Sequence, residues 1–194
     1  MRTARVERRT KETDIAVELS LDGKGKSDIK TPLSFMTHML ENFAKHSRFD
    51  LKITAEGDVH VDDHHLVEDL GIVLGSALDK ALGDKKGIAR MGCASVPMDD
   101  SLAHIALDLS GRPYAKVNLK FSEFKDAKLG DVSKEAIPHF FESFAHNGRF
   151  NLHINVDGEN DHHKVESCFK AVARALYEAT RIKHDDTPST KGVL

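Results

Sequence analysis

Two segments, His64-His65-Leu-Val-Glu68 and His162-His163-Lys-Val-Glu166, each place a histidine and a glutamate four positions apart. On an α-helix residues i and i+4 share a face, so His64 with Glu68, and His162 with Glu166, can each reach one metal ion. Adjacent helical residues diverge by about 100°, so His65 and His163 point elsewhere and serve a second ion. Imidazole combined with carboxylate suits zinc, manganese, iron or nickel, and the oxygen share leaves room for octahedral manganese. His38 and His139 each lie on the segment before one of these motifs and are the natural third ligands. A single His-His pair on a surface helix would be ordinary solvated residues. Its recurrence, each time with Glu at +4 and an upstream histidine, makes it a metal motif. His46, His60, His104, His146, His153 and His184 have no repeated partner of that kind.

Such ligands need rigid elements beneath them, and the chain supplies those elements twice. Displacing it by 101 residues (38 to 139) sets His38 on His139, Glu41 on Glu142, Phe43 on Phe144, Arg48 on Arg149, Phe49 on Phe150 and Gly57 on Gly158. A displacement of 88 sets Val17, Leu19 and Leu21 on Ile105, Leu107 and Leu109, and Glu12 on Asp100. Alternating apolar residues at 15–21 and 103–109 predict half-buried strands, and 51–55 and 152–156 predict strands closed by a turn glycine. Apolar residues at helical spacing predict helices over 34–47 and 133–146, then longer ones over 63–82 and 161–182. Gly71 and Gly75 lie near His64 on the helix wheel, where bare backbone lets another element approach. The expected fold is α+β: an internally duplicated two-layer sandwich, each half a mixed β-sheet packed on two helices. The chain reads as one unit, 1–194, of two homologous halves, about 1–86 and 87–184, with a tail, 185–194, whose polar composition alone suggests fraying.

Composition excludes several classes. With 28 Lys and Arg against 31 Asp and Glu the net charge is −3, unlike the basic surface of a nucleic-acid binder. No apolar run approaches the roughly 18 residues of a membrane span, and the first ten residues have no apolar leader core. Cys93 and Cys168 form no disulfide framework, read as buried small apolar residues, and suit a reducing cytoplasm. Gly23-Lys-Gly25 is too short to cradle a phosphate and reads as a hairpin turn.

The chain is similar to the imidazoleglycerol-phosphate dehydratase family of histidine biosynthesis. The matching pieces are Arg8-Arg9-Thr-Lys-Glu12-Thr, Phe35-Met-Thr-His38-Met-Leu, Gly57-Asp-Val-His-Val-Asp-Asp-His64-His65-Leu-Val-Glu68-Asp, and Arg90 followed by Val96-Pro-Met-Asp-Asp100. Ser110-Gly-Arg112-Pro, Asn160-Asp-His162-His163-Lys-Val-Glu166 and Pro188-Ser-Thr-Lys-Gly-Val-Leu194 complete them, so the resemblance runs from about Arg5 to Leu194. Thr37 departs from the family, which has an acidic residue before the histidine.

The resemblance implies a fold of the ribosomal protein S5 domain 2-like type, in the monofunctional form without a fused phosphatase. It implies manganese, two ions per active site, and a cytoplasmic homo-oligomer of 24 subunits with sites between subunits and no nucleic-acid or membrane partner. The reaction implied is loss of water from D-erythro-imidazole glycerol phosphate to give imidazole acetol phosphate. The substrate's ring, held as imidazolate, would expel the neighbouring hydroxyl through a diazafulvene-like intermediate, because the chain proton is too weakly acidic for direct removal by a carboxylate. For the phosphate the resemblance points to Arg90, Arg112, Ser189, Thr190 and Lys191. Glu12 is the acid/base candidate, with Asp99 or Asp100 and His46 as further proton-handling candidates. By the internal symmetry, one ion takes His38, His65, His162 and Glu166, and the other His64, Glu68, His139 and His163. Two rivals are a metal-storage or assembly protein with saturated ions and a binuclear metal hydrolase of a phosphorylated small molecule. The first has no use for Glu12, Arg90 or Arg112; the second differs only through the whole-chain resemblance.

Overall fold

The computed structural model describes residues 1–122, 126–183 and 185–194, which leaves His184 outside the described residues. The first half comprises β1 (Thr3–Arg9), β2 (Thr13–Ser20), β3 (Ser27–Lys30), α1 (Ser34–Ser47), β4 (Asp50–Gly57) and α2 (His64–Leu82). The second comprises β5 (Met91–Met98), β6 (Ser101–Asp108), β7 (Tyr114–Leu119), β8 (Lys128–Leu129), β9 (Val132–Ser133), α3 (Ala136–Asn147), β10 (Asn151–Asp157) and α4 (Asp161–Thr180). The main sheets run β1-β2-β4-β3 and β5-β6-β10-β7, antiparallel except for the last pair of each, which is parallel. The two halves therefore share one topology, the expected α+β duplication.

Alternation fixes which face of each sheet is covered. Val17 opposes Ile53 and Leu19 opposes Leu51, as Ile105 opposes Ile154 and Leu107 opposes Leu152, and all of these are buried. A slip of one residue would turn each set to water. α2 lies on the first sheet and α4 on the second, while α1 packs on α4 and α3 on α2, so the halves meet helix against helix. The seam holds an aromatic cluster, with Phe43 edge-on to Phe144 at 5.9 Å and Phe140 stacked on Phe169 at 5.3 Å between ring centroids. A Cβ on Gly71 would stand 2.6 Å from the Phe140 carbonyl oxygen, and one on Gly75 2.5 Å from that of Phe144. The bare backbone at these glycines lets α3 lie directly against α2. The repeated arginines Arg48 (φ 63°) and Arg149 (φ 53°) both adopt the left-handed region where each half passes from helix to strand.

Several expectations need correction. The helix expected from 133 begins at Ala136, because Val132–Ser133 pairs with Lys128–Leu129 in a short hairpin. Gly23–Gly25 is not a hairpin turn: β2 and β3 are not neighbours but flank β4. The loop instead crosses the end of β4, where Asp50 Oδ1 accepts from the Lys24 and Lys26 N–H groups at 2.8 and 2.9 Å and Gly23 leaves no room for a Cβ. Cys93 is exposed, since it lies on the outer face of edge strand β5, whereas Cys168 is buried as expected. Strands β1, β3, β5 and β7 were not singled out by periodicity. The last helix stops at Thr180, and Ile182 makes a β-bridge to Ile88. Among the described residues no helix is long and apolar enough to cross a membrane.

Candidate metal centres and active site

The ligand-bearing ends of α2 and α4 start where they do for local reasons. The Asn160 side chain accepts from the N–H groups of His162 and His163 at 2.9 and 3.4 Å and caps α4. Asp62 accepts from the His64 N–H at 2.9 Å. These caps project His162 and His64 from the first turn toward the helix that crosses from the other half.

Glu166 Oε2 lies 3.1 Å from His162 Nε2 and 3.3 Å from His38 Nε2, and the three residues offer ligand atoms all within 4.8 Å of one another. Glu166 is nearly buried, and its other oxygen pairs with Lys170 Nζ at 2.6 Å. Burial alone would raise its carboxyl, but the hydrogen bond and charge of Lys170, then His162 and His38, outweigh it and hold the group below its ordinary value. The symmetry-related group is looser. His64 and His139 have ring centroids 5.4 Å apart, and His64 Nε2 lies 3.8 Å from Glu68 Oε2. Three of the four residues assigned to the first ion thus come together from α1 and α4 of opposite halves, whereas the matching three on α2 and α3 are neighbours but stand farther apart, with His139 Nδ1 3.6 Å from Glu142.

His65 and His163 are turned away from their own chain's clusters and held by carboxylates. His65 Nδ1 lies 3.1 Å from Asp58 and 4.0 Å from Glu12; the Asp58 hydrogen bond raises its pKa. His163 Nδ1 lies 2.6 Å from Asp100, and His163 Nε2 lies 3.7 Å from Asp99. A carboxylate on one ring nitrogen fixes the tautomer and orients the other nitrogen as a ligand, the arrangement seen behind metal-bound histidines. The donor set of imidazole nitrogens and carboxylates fits a borderline divalent ion. Glu12 and Asp100 occupy matching hairpin turns, β1–β2 and β5–β6, but differ in chemistry. Asp100 also accepts from the backbone N–H groups of Asn160 and Glu159, each at 2.7 Å, and the Asn160 bond foremost, with His163, depresses its carboxyl far below the usual range. It is better placed to orient His163 than to carry a proton; Glu12 is exposed beside His65.

The remaining candidates fall elsewhere. His46 sits two turns along α1 from His38, and burial first, then Lys170 and Arg174, lowers its pKa. Arg90 forks onto Asp108 at 2.7 and 3.0 Å and donates to the Pro188 carbonyl at 2.8 Å. The C-terminal Leu194 reaches Gly111, beside Arg112. Ser189, Thr190 and Lys191 therefore lie on a stretch of tail running from Arg90 toward Arg112, tied down rather than frayed. Among the described residues no hydrogen bond joins this strip to either cluster. Asp58 and Lys170 were not anticipated from sequence; Lys170 had a legible signal in its i+4 spacing from Glu166, while Asp58 lies in a loop and had none.

Fold and site define a class: a duplicated α+β protein that carries His/Glu clusters fit for divalent ions at the seam between its halves. The family model for imidazoleglycerol-phosphate dehydratase matches residues 31–176. The imidazoleglycerol-phosphate dehydratase of Methanothermobacter thermautotrophicus is 53% identical over 194 residues, covering 100% of this chain and 98% of the relative. That of Methanosarcina mazei is 50% identical over the full length of both. The crystal structure of the Pyrococcus furiosus enzyme in complex with (S)-C348 matches with a TM-score of 0.84 at 42% identity, over 97% of this chain and 100% of that one. The chain belongs to the imidazoleglycerol-phosphate dehydratase family, and is thus a hydro-lyase of histidine biosynthesis.

Proposed function

We propose that the chain dehydrates D-erythro-imidazole glycerol phosphate with two manganese ions per active site, in a cytoplasmic homo-oligomer of 24 subunits. The observation that carries this reading is the pair His65 and His163: each is oriented by a carboxylate yet faces away from its own chain's cluster. Each cluster is one imidazole short of its assigned set. A neighbouring copy supplies it, so that His38, His162 and Glu166 are joined by a His65, and His64, Glu68 and His139 by a His163.

Bound manganese supplies Lewis acidity that favours the imidazolate form of the substrate's ring. The ring in that form would let the neighbouring hydroxyl depart as water through a diazafulvene-like species, and loss of the chain proton would then give an enol that becomes the ketone. Glu12, exposed beside His65, is the group that moves a proton. Asp58 and Asp100 keep the His65 and His163 rings aimed. The tail strip of Arg90, Arg112, Ser189, Thr190 and Lys191 receives the phosphate, for which guanidinium forks and a lysine are suited.

Assembly has support in the unlike outer faces of the two sheets. The first carries Arg5, Glu7, Arg9, Asp14, Glu18 and Lys52, cross-linked by ion pairs. The second presents Met91, Cys93, Leu102, Ala106 and Tyr114, with Met91 62% and Tyr114 56% exposed. A duplicated fold that keeps one face densely charged, and gives the other mainly uncharged residues with Lys116 and Asp157 as its exposed charges, is built to cover the second. Metal analysis tests the reading: two manganese ions per protomer are expected, and His64→Ala should lose about one of them. An unchanged stoichiometry in that variant would remove His64 from the site.

A further inference from the structure

The two halves differ most in how they enter their first helix. β3 reaches α1 through residues 31–33, whereas β7 reaches α3 through residues 120–135, a length with no counterpart in the repeat. Its last part is the β8–β9 hairpin, turned at Gly130-Asp131, where Gly130 alone has positive φ (61°), as in a type II′ turn.

The connection grips the start of three ligand-bearing helices, two of them through the hairpin itself and the third through the flanking Ser122 and Lys134, and leads into the fourth. The Asp131 carboxylate accepts from the backbone N–H groups of Ser34 and Phe35 at 2.6 and 3.0 Å. α1 has no cap of its own, since Leu33 precedes it, and is thus capped by a residue 97 positions away. Asp63, 2% exposed at the N-cap of α2, does not cap its own helix. It accepts from the Ser133 N–H at 2.7 Å, the Ser133 hydroxyl at 2.6 Å and Lys128 Nζ at 3.1 Å. Asp161, equally buried at the start of α4, pairs with Lys134 Nζ at 2.9 Å and accepts from the Ser122 N–H at 3.2 Å. Gly130 also rests on the Phe35 side chain, and the Phe35 ring meets His162 edge-on at 5.2 Å.

The placement matters because each cluster is split between two helices of different halves. Apolar packing at the seam leaves one helix able to slide along another, whereas ligand distances must hold to about 0.2 Å. Directional, charge-assisted hydrogen bonds resist that slide. They act within one turn of His38, His64 and His162.

We propose that the β8–β9 hairpin is a positioning clamp for the two His/Glu clusters, with Asp131 fixing His38 against His162 and Glu166, and Asp63 with Ser133 fixing His64 and Glu68 against His139. The proposal rests on the reading that these clusters hold divalent ions. Neither aspartate touches an ion or substrate; both act through the helices that carry the ligands.

Cobalt(II) alone, titrated into chelator-stripped full-length protein and followed by its visible absorption, tests this. The wild type should bind two ions per protomer. Asp131→Ala should leave one ion at wild-type affinity and weaken the other about 10–100-fold, the scale for lost outer support of a ligand. Asp131→Asn, which keeps a capping oxygen, should restore it, and in a His38→Ala background Asp131→Ala should add no further loss. Ser133→Ala should weaken the other ion, and serves in place of Asp63→Asn should that buried substitution prevent folding. A variant with a lower melting temperature but both cobalt affinities intact would reduce the hairpin to a stability element and overturn the proposal. A wild type that binds no cobalt would overturn the proposal together with the metal reading beneath it.

Discussion

Replacing Gly75 by alanine is the sharpest perturbation of the seam. The new methyl would lie 2.5 Å from the Phe144 carbonyl oxygen and 2.8 Å from the Gly148 nitrogen. Ordinary contact begins at 3.4 Å, so α3 must withdraw by about 0.9 Å, the difference between 3.4 and 2.5. The obstacles are backbone atoms and cannot rotate aside. Overpacking of this kind costs about 1–3 kcal/mol, and alanine's better helix propensity returns about 1 kcal/mol. A net loss near 1 kcal/mol lowers the melting temperature of a domain this size by about 2–4 °C. The effect on geometry is larger than the effect on stability, because His139 rides on α3 and His64 on α2. A displacement near 1 Å in a reactive site costs roughly 100-fold in rate. His38, His162 and Glu166, carried by α1 and α4, keep their spacing. Calorimetry combined with a cobalt titration should therefore show a slightly less stable protein with one ion bound normally and one weakly. A Gly75→Ala protein that melts higher and binds both ions as before would refute the claim that the bare backbone of α2 sets the second cluster.

Truncation after Pro188 should raise the Michaelis constant far more than it lowers the melting temperature, because the tail is the proposed phosphate strip and carries little core; an unchanged constant would end the tail's role. Burial pushes the Cys168 thiol up, so maleimide should spare it until denaturation. Cys93 should label slowly in the assembled protein and quickly once subunits are separated, and equal rates would argue against covering of the second sheet's outer face. His46 has a depressed pKa in the folded state. Its contribution to stability is complete above its ordinary value near 6.5 and is lost as pH falls through the folded value. His46→Gln should flatten the fall in melting temperature between about pH 7 and pH 5; the same slope in both proteins would contradict this.

The four helices and the inward-facing strands were legible because their side chains repeat at the period of the element, as at Val67, Leu70, Leu74 and Leu78 in α2. Gly71 and Gly75 also signalled the close approach of another element correctly. Strands such as β3 and β5 were not legible: β5 has one face open and carries glycine, serine and proline, so it shows no apolar alternation. Sequence spacing paired His64 with Glu68 and separated His65 from both, and the geometry agrees. What spacing could not show is that Asp58 sits behind His65, that Asp131 at the hairpin turn reaches the start of α1, or that Asp63 meets the hairpin and Asp161 the lysine that follows it. Those contacts join residues up to 97 positions apart through loops, where no period operates. Asp100, aligned with Glu12 by the repeat, turned out to be saturated by backbone donors, a difference set by how the β10–α4 loop folds over it.

The most direct test of the account is product formation from imidazole glycerol phosphate by chelator-stripped protein, with and without added manganese. The account predicts imidazole acetol phosphate only in the presence of the metal. Equal turnover in both samples, with stripping verified by metal analysis, would contradict the assignment of manganese to the two His/Glu clusters.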